Sequence, residues 1–422
     1  MYLLIDCNNF FVSCERIFNP KLWHKPVVVL SSNDGCIVAR SNEVKALGVP
    51  MGAPIFEWHK LLQQHDTQIF SSNFRLYGDI SHRFIQILRG FTPDVEVYSI
   101  DEAFLFYKDD YPENHQTSWQ EMGLKIRKTI GQWLGVPVSV GIAPTKTLAK
   151  VAAELVKKTK SPTGVGVLQT VSDIDQALAL LPAAAIWGVG RRYAKMLQEN
   201  GVQTALDFKN QPPDWVRKKM TVFGSRTQME LAGVACLDLQ DVEPPRKSIV
   251  CSRSFGQAVS NKQDLAEALA THVAKACEKM RSRNLLTGYI SVFSYAGMRV
   301  GGESFAADVV LPQHLDFTPE ITRKAWGCLE QFFKPGLRYK KIGVLLGDLV
   351  PLKKVQYDLY ETEFPNPKKS DLMRLLDQVN QKWGDSSLKY AAQGFKKSWQ
   401  AKTERRSPEY TTKWAELPRV KT

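Results

Sequence analysis

The sequence predicts a multi-domain α/β protein, and three observations carry that prediction. At 422 residues and 47.7 kDa the chain exceeds one ordinary core, so roughly two to four domains are expected. Short apolar strands near the N-terminus and around residue 100 end on, or are interrupted by, carboxylates, with helices between them. From Ile249 to Asp348 the pattern runs strand, helix, strand, strand, helix, strand, which gives a four-stranded sheet backed by two helices.

Composition narrows the partners. Lys and Arg total 56 against 43 Asp and Glu, a formal charge of +13 with a pI near 9.3, which favours a polyanion and nucleic acid first. The seven cysteines are scattered, odd in number and without a CxxC pair, as expected of a reduced cytoplasmic compartment. The N-terminus has no basic region before its short apolar run, and no segment reaches the roughly 18 apolar residues of a span, so neither secretion nor membrane insertion is expected.

Taken in order, Tyr2–Ile5 is a short apolar strand ending on Asp6, after which Cys7 to Glu15 turns into a helix. Residues 22–73 form a small mixed segment: strand Pro26–Leu30, a Ser-Asn-Asp-Gly turn, hairpin partner Cys36–Arg40, and a short helix capped by Ser41 and closed by Gly48. Val95–Phe106 reads as a buried strand holding Asp101 and Glu102. Adjacent strand residues face opposite ways, so the two acids can share a ligand only near a strand end or bend. Ionised carboxylates among apolar neighbours need a partner or a metal; the competing reading is an edge pair facing water. With Asp6 they make three carboxylates at strand ends, which together with a backbone carbonyl suit two Mg²⁺ ions.

A helix at 121–134 and a strand Val136–Gly141 follow, then a helix from about Thr145 to Lys158 that buries Leu148, Val151, Ala152 and Leu155. Its Lys146, Lys150 and Lys157 share another face, where at least one lysine is expected simply to meet solvent. Ile186-Trp187-Gly188-Val189-Gly190-Arg191-Arg192 has the hydrophobic-Gly-hydrophobic-Gly form of a helix-hairpin-helix turn, whose glycines let backbone N–H groups approach a phosphate. An ordinary helix-helix turn is the alternative. Beyond residue 351 the pattern loosens, gains basic residues, and reads as a docking tail.

The opening Asp6 to Glu15 and the later Ser99-Ile100-Asp101-Glu102-Ala103-Phe104 resemble the signature of Y-family translesion DNA polymerases. Tyr390–Phe395, with Trp399 and Ser407–Thr412, is similar to the UmuC branch, that of the catalytic subunit of bacterial DNA polymerase V. The resemblance implies a right-hand architecture: an α+β palm at 1–10 and 75–165, fingers at 11–74, a helical thumb at 166–237, a linker at 238–247, a βαββαβ little finger at 248–350, and a partner-docking tail at 351–422. It implies Asp6, Asp101 and Glu102 as catalytic carboxylates that, with Cys7, hold two Mg²⁺ ions. Phe10, Phe11, Lys45 and Lys157 would meet the nucleotide, Phe11 as an aromatic gate against the ribose hydroxyl; Asn42 stands where many members carry Tyr. Gly188, Gly190 and Arg191, with Ser252, Arg253 and Ser254, would contact the DNA backbone, and Gln356, Leu359 and Tyr360 would dock a sliding clamp.

The implied function is error-prone, DNA-directed DNA synthesis across lesions in the SOS response, without a proofreading domain. Primer-template DNA, deoxynucleoside triphosphates, a UmuD′-like dimer, RecA and the clamp are the implied partners, in a bacterial cytoplasm and on the nucleoid when bound to DNA. A non-catalytic member that binds only DNA and partners is the alternative, against which the three intact carboxylates argue. An unrelated two-metal nuclease or cyclase lies further off.

Overall fold

The computed structural model describes all residues except 109–117, 240–244, 298–301, 353–366, 396–398 and 419–422. The chain forms two units: Met1–Ser31, Gly35–Glu243 and Arg405–Thr422 in the first, Ser32–Asp34 and Pro244–Glu404 in the second.

Unit 1 is built on a five-stranded sheet. Strand β1 (Tyr2–Cys7) leads to helix α1 (Phe10–Phe18), and a satellite three-stranded sheet follows from β2 (Val27–Leu30), β3 (Ile37–Arg40), α2 (Asn42–Ala46), α3 (Ile55–Gln64) and β4 (Gln68–Ser71). Helix α4 (Phe74–Arg89) returns the chain to the main sheet, which adds β5 (Val95–Val97), β6 (Glu102–Phe106), α5 (Trp119–Leu134), β7 (Val138–Ala143), α6 (Lys146–Thr159) and β8 (Val165–Val167) in the order β5-β6-β1-β7-β8. Helices α7 (Val171–Leu180), α8 (Arg191–Glu199), α9 (Ala205–Lys209) and α10 (Pro213–Leu231) complete the helical part.

The two-residue period of β1 decides what the site can be. Leu3, Ile5 and Cys7 join one core, with Ile80 and Phe84 of α4 and Ile126 and Ile130 of α5. Tyr2 and Leu4 join another with Leu148, Val151 and Ala152 of α6, so Asp6 continues the face that meets α6. β6 pairs with β1 antiparallel, Leu4 opposite Phe104 and Asp6 opposite Glu102; Phe104 lies in the α6-side core, so Glu102 points to the same face. Helix α6 can press on the sheet because β7 has glycine at 141, where a Cβ would stand 2.1 Å from the Ala149 carbonyl oxygen.

The expected continuous strand 95–106 is two strands, β5 and β6, joined by a turn at 98–101. Asp101 therefore sits in the turn and Glu102 at the first strand position, which is the bend that two neighbouring acids need to approach one site. Helix α6 buries Leu148, Val151 and Ala152 as expected, with Val156 in place of the half-buried Leu155.

Unit 2 has the βαββαβ order: β9 (Ser248–Val259), α11 (Lys262–Arg281), β10 (Leu285–Ala296), β11 (Glu303–Leu315), α12 (Thr318–Phe332) and β12 (Tyr339–Pro351). Its sheet runs β11-β10-β12-β9, with Ile290, Val292, Val344 and Leu346 of the strands packed against Leu265, Leu269, Ile321 and Leu329 of the helices. Ser252, Arg253 and Ser254 lie in mid-strand on β9, an edge of that sheet; Arg253 and Ser254 are exposed.

Helix α13 (Pro367–Trp383) follows in unit 2, and Arg281 grips Asp377 on it through two hydrogen bonds of 2.7 Å. The chain then returns to unit 1: Ser71 bridges Arg406 in parallel fashion, and Tyr410 stacks on Phe18 at 4.7 Å. Much of the expected loose tail is thus folded. Gln356, Leu359 and Tyr360 lie outside the described residues.

Candidate active site

A buried carboxylate and a half-buried one face two lysines. Asp6, 8 % exposed, accepts from Lys157 Nζ at 2.5 Å through Oδ2, and Glu102 accepts from Lys150 Nζ at 3.2 and 3.1 Å. One turn towards the helix start, Lys146 is buried and pairs with Glu96 at 2.5 Å. The expectation that one of the three lysines meets only solvent is corrected: positions 146, 150 and 157 lie on one stripe of α6, and each finds an acid on the sheet beneath.

Electrostatics separates the two central carboxyls. Burial, together with a hydrogen bond to Glu102, pushes Asp6 up to about 7, and Lys157 pulls against that rise. Burial also acts on Glu102, but the hydrogen bond with Asp6 and the Lys150 ammonium outweigh it and hold this carboxyl below its ordinary range. Asp101 is held apart: its Oδ1 accepts from the Ser99 hydroxyl at 2.6 Å, while its backbone carbonyl accepts from Cys7 N–H at 2.9 Å. The Cys7 thiol is buried, and burial pushes it well above its usual value, so this residue offers its backbone rather than its sulfur.

Among the described residues no three His, Cys, Asp or Glu groups close on one point. The donors nevertheless fit a hard divalent cation: Asp6 and Glu102 are register partners on one face, offer oxygen ligands only, and are each paired with a lysine. Asp101 is the third carboxylate, one residue away and tied to Ser99.

A positive cluster borders the pair. Lys45, on α2, has its ammonium pulled below the usual lysine value by partial burial and then by the charges of Arg40 and Lys157. Arg40, Lys45 and Lys157 form a cationic group from three elements that suits a triphosphate. Asn42 accepts from the Asn9 amide at 3.0 Å, and Asn9 caps α1 in the left-handed region at φ 49°.

α1 sends its two phenylalanines different ways. Phe10 is core at 3 % exposure, and Phe11 is half-buried, stacked on Tyr77 at 4.6 Å and 15° with the Phe74 ring edge-on at 5.8 Å. In the helical part, Gly188 takes φ +89°, and exposed Arg191 opens α8 directly after Gly190; a single 3-10 turn, Ala183–Ala185, precedes them instead of a full helix. Trp187 of this turn donates to Tyr98 Oη at 3.0 Å, and Lys150 lies 4.3 Å from the Tyr98 ring centre.

Sequence reasoning missed Arg40, Tyr77, Tyr98 and Trp187. A signal existed only for the last, which sits inside the glycine turn; the others converge through the fold.

Residues 5–154 match the impB/mucB/samB family, residues 246–359 the impB/mucB/samB family C-terminal domain, and residues 370–420 a domain of unknown function, DUF4113. The chain is 39 % identical to Protein UmuC of Salmonella typhimurium over 100 % of both chains, and 37 % identical to Protein ImpB of Salmonella typhimurium over 99 % of both. In fold it resembles a Y-family DNA polymerase chimera of Dbh and Dpo4, with TM-score 0.66 and 22 % identity over 83 % of this chain and 99 % of that one. A ternary complex of Dbh DNA polymerase aligns with TM-score 0.53 and 22 % identity over the same shares. Identity of this extent along the whole chain, on a matching fold, shows that the chain belongs to the impB/mucB/samB family, as a UmuC-like Y-family DNA polymerase.

Proposed function

We propose that this chain carries out error-prone translesion DNA synthesis in the SOS response, adding deoxynucleotides to a primer 3′-hydroxyl without proofreading. The observation that carries this reading is the facing of Asp6 and Glu102 with Lys157 and Lys150 on one side of the sheet, next to the Arg40–Lys45 cluster. Acids, then cations, are layered as a triphosphate with a reactive α-phosphorus requires.

In this reading Asp6, Asp101, Glu102 and the Cys7 carbonyl would hold two Mg²⁺ ions, which when bound supply Lewis-acid activation of the primer hydroxyl and neutralise the triphosphate. The chain's own residues do the rest. Lys45, Arg40 and Lys157 hold the β- and γ-phosphates, so that pyrophosphate leaves in line as the primer oxygen bonds the α-phosphorus. Lys157 exchanges Asp6 for the phosphate, which frees that carboxylate. Phe11 lies against the sugar, and a ring there tolerates hydrogen at C2′ but collides with a hydroxyl. Gly188, Gly190 and Arg191 approach the backbone of primer-template DNA, as do Ser252, Arg253 and Ser254 on their own unit. Gln356, Leu359 and Tyr360 engage the sliding clamp, and a UmuD′-like dimer and RecA complete the working assembly.

The test is primer extension with Asp101→Asn and Glu102→Gln. Each is expected to abolish nucleotide addition while DNA binding survives, because the phosphate contacts lie elsewhere. Wild-type extension by either variant would remove the metal assignment; no extension by the wild-type chain itself would leave the non-catalytic reading.

A further inference from the structure

The residue beneath Phe11 is tied to the far end of the chain. Tyr77, whose ring stacks on Phe11, donates its phenol to Glu15 Oε1 at 2.6 Å; the same oxygen accepts from the Ser407 hydroxyl at 3.0 Å. Glu15 is 2 % exposed and Tyr77 is fully buried. Ser407 is fixed in turn: the Asn73 amide donates to its carbonyl and its hydroxyl oxygen, both at 3.0 Å, and to the Pro408 carbonyl at 3.1 Å. Asn73 caps α4, whose first residue, Phe74, presents its ring edge to Phe11. Two of the three rings that flank Phe11 therefore stand on groups clamped by residues 407 and 408. The clamp is seated by further contacts: Arg405 N–H donates to Ser71 Oγ at 3.0 Å, Ser71 N–H to the Arg405 carbonyl at 3.0 Å, and Tyr410 stacks on Phe18 of α1.

A buried carboxylate that accepts from two hydroxyls on different segments fixes both of them, because neither donor can move without leaving charge unsolvated. The phenol and Ser407 share one oxygen, so the Tyr77 ring can shift or tilt only if that carboxylate does. Phe11 is held by α1 and by the rings it touches. Its position against a sugar is thus set by the platform below it.

We propose that the C-terminal segment Arg405–Tyr410 is a positioning element for sugar selection, acting through Ser407, Glu15 and Tyr77 on the Phe11 ring. The inference rests on the reading of Phe11 as the sugar gate. Ser407, Glu15 and Tyr77 touch no reactant; they act by holding the gate in register, so their removal loosens discrimination before it slows synthesis. The segment Arg405–Tyr410 and the platform beneath Phe11 are, in this view, one mechanical unit.

The experiment uses the full-length protein and matched ribo- and deoxyribonucleotides opposite one template base. It compares wild type with Phe11→Ala, Ser407→Ala, Ser407→Thr and Tyr77→Phe, reading kcat/KM for each sugar. Phe11→Ala is expected to raise the ribo-to-deoxyribo ratio at least about tenfold. Ser407→Ala is expected to raise it at least about threefold, with deoxyribonucleotide kcat/KM held within about twofold, and Ser407→Thr, which keeps the hydroxyl, to restore the wild-type ratio. If Ser407→Ala does not fold, Tyr77→Phe breaks the same link from the other side, keeps the stacked ring, and is expected to give the same rise. An unchanged ratio in Ser407→Ala or Tyr77→Phe, beside a raised one in Phe11→Ala, overturns the proposal alone. An unchanged ratio in Phe11→Ala overturns the gate reading and the proposal with it.

Discussion

Glu230 offers a sharp test of how the catalytic helix is held. Its side chain is fully buried near the end of α10 and is held by backbone N–H groups: Oε2 accepts from Thr147 N–H at 3.0 Å, and Oε1 from Cys236 and Leu237 N–H at 2.6 and 3.1 Å. Thr147 lies in the first turn of α6, so the carboxylate satisfies an otherwise unpaired helix N–H and sits at the positive end of the helix dipole. The Glu230 carbonyl also accepts from Thr145, the α6 cap, at 2.8 Å. Glu230→Gln keeps the shape but turns one acceptor oxygen into a donor. Its best orientation aims the new NH₂ at Thr147 N–H, losing one charge-assisted bond, worth about 1.5–3 kcal/mol, and demoting two others to neutral strength. The expected loss is about 3 kcal/mol, a fall of about 1 M in the urea midpoint of unit 1. Lys150 and Lys157 ride on α6, so nucleotide incorporation is expected to fall more than DNA affinity. Urea unfolding with parallel primer extension decides it: a midpoint shift below about 0.2 M with full activity would refute the reasoning.

The remaining expectations concern DNA, the clamp and pH. With a formal charge of +13, DNA affinity is expected to fall steeply with salt as counterions are released, and a flat titration by fluorescence anisotropy would contradict a backbone-tracking mode. Replacing Gln356, Leu359 and Tyr360 with Ala is expected to lose clamp-stimulated synthesis and leave clamp-independent synthesis intact; equal stimulation would show the match to be accidental. Burial holds the Glu15 carboxyl above its ordinary value, against the hydrogen bonds from Tyr77 and Ser407. The folded form thus favours the protonated acid, a stabilisation that is complete below the unfolded value near 4.3 and lost as pH rises through the folded value. Melting temperatures of wild type and Glu15→Gln, compared across about pH 4 to 8, are expected to diverge in favour of the variant as pH rises, and a constant difference would contradict the raised value.

What could be read from the sequence was whatever local pattern determines. The βαββαβ order of unit 2, the β2–β3 hairpin and the Ser41 and Gly48 helix ends follow from two-residue and 3.6-residue periods and from turn chemistry. Asp6, Asp101 and Glu102 stood out because carboxylates interrupt apolar strands, and their separation into a register pair and a turn residue is consistent with the bend they required. The lysine stripe was visible, but its partners were not, because Glu96 and Glu102 reach α6 only once β5 and β6 lie beside β1. Tyr77 and Glu15 looked like ordinary helix residues. Their roles depend on contacts 62 and 392 positions apart in the chain, which no local window contains.

The return of Arg405–Tyr410 to unit 1 also sets an order of events during synthesis on the ribosome. Unit 1 begins at Met1 and is not closed until residues past 404 have been made, whereas almost all of unit 2 lies in the continuous run 244–404. Unit 2 can fold while translation continues; unit 1 must wait with the Glu15 carboxylate and the Asn73 amide lacking their Ser407 partner. A message truncated before codon 405 therefore yields a polymerase body with an incomplete hydrogen-bond set in its interior, which opens more readily to proteases. Residues 405–408 thus act as a completion check: only a chain translated past them acquires the full hydrogen-bond set around Glu15 and Asn73.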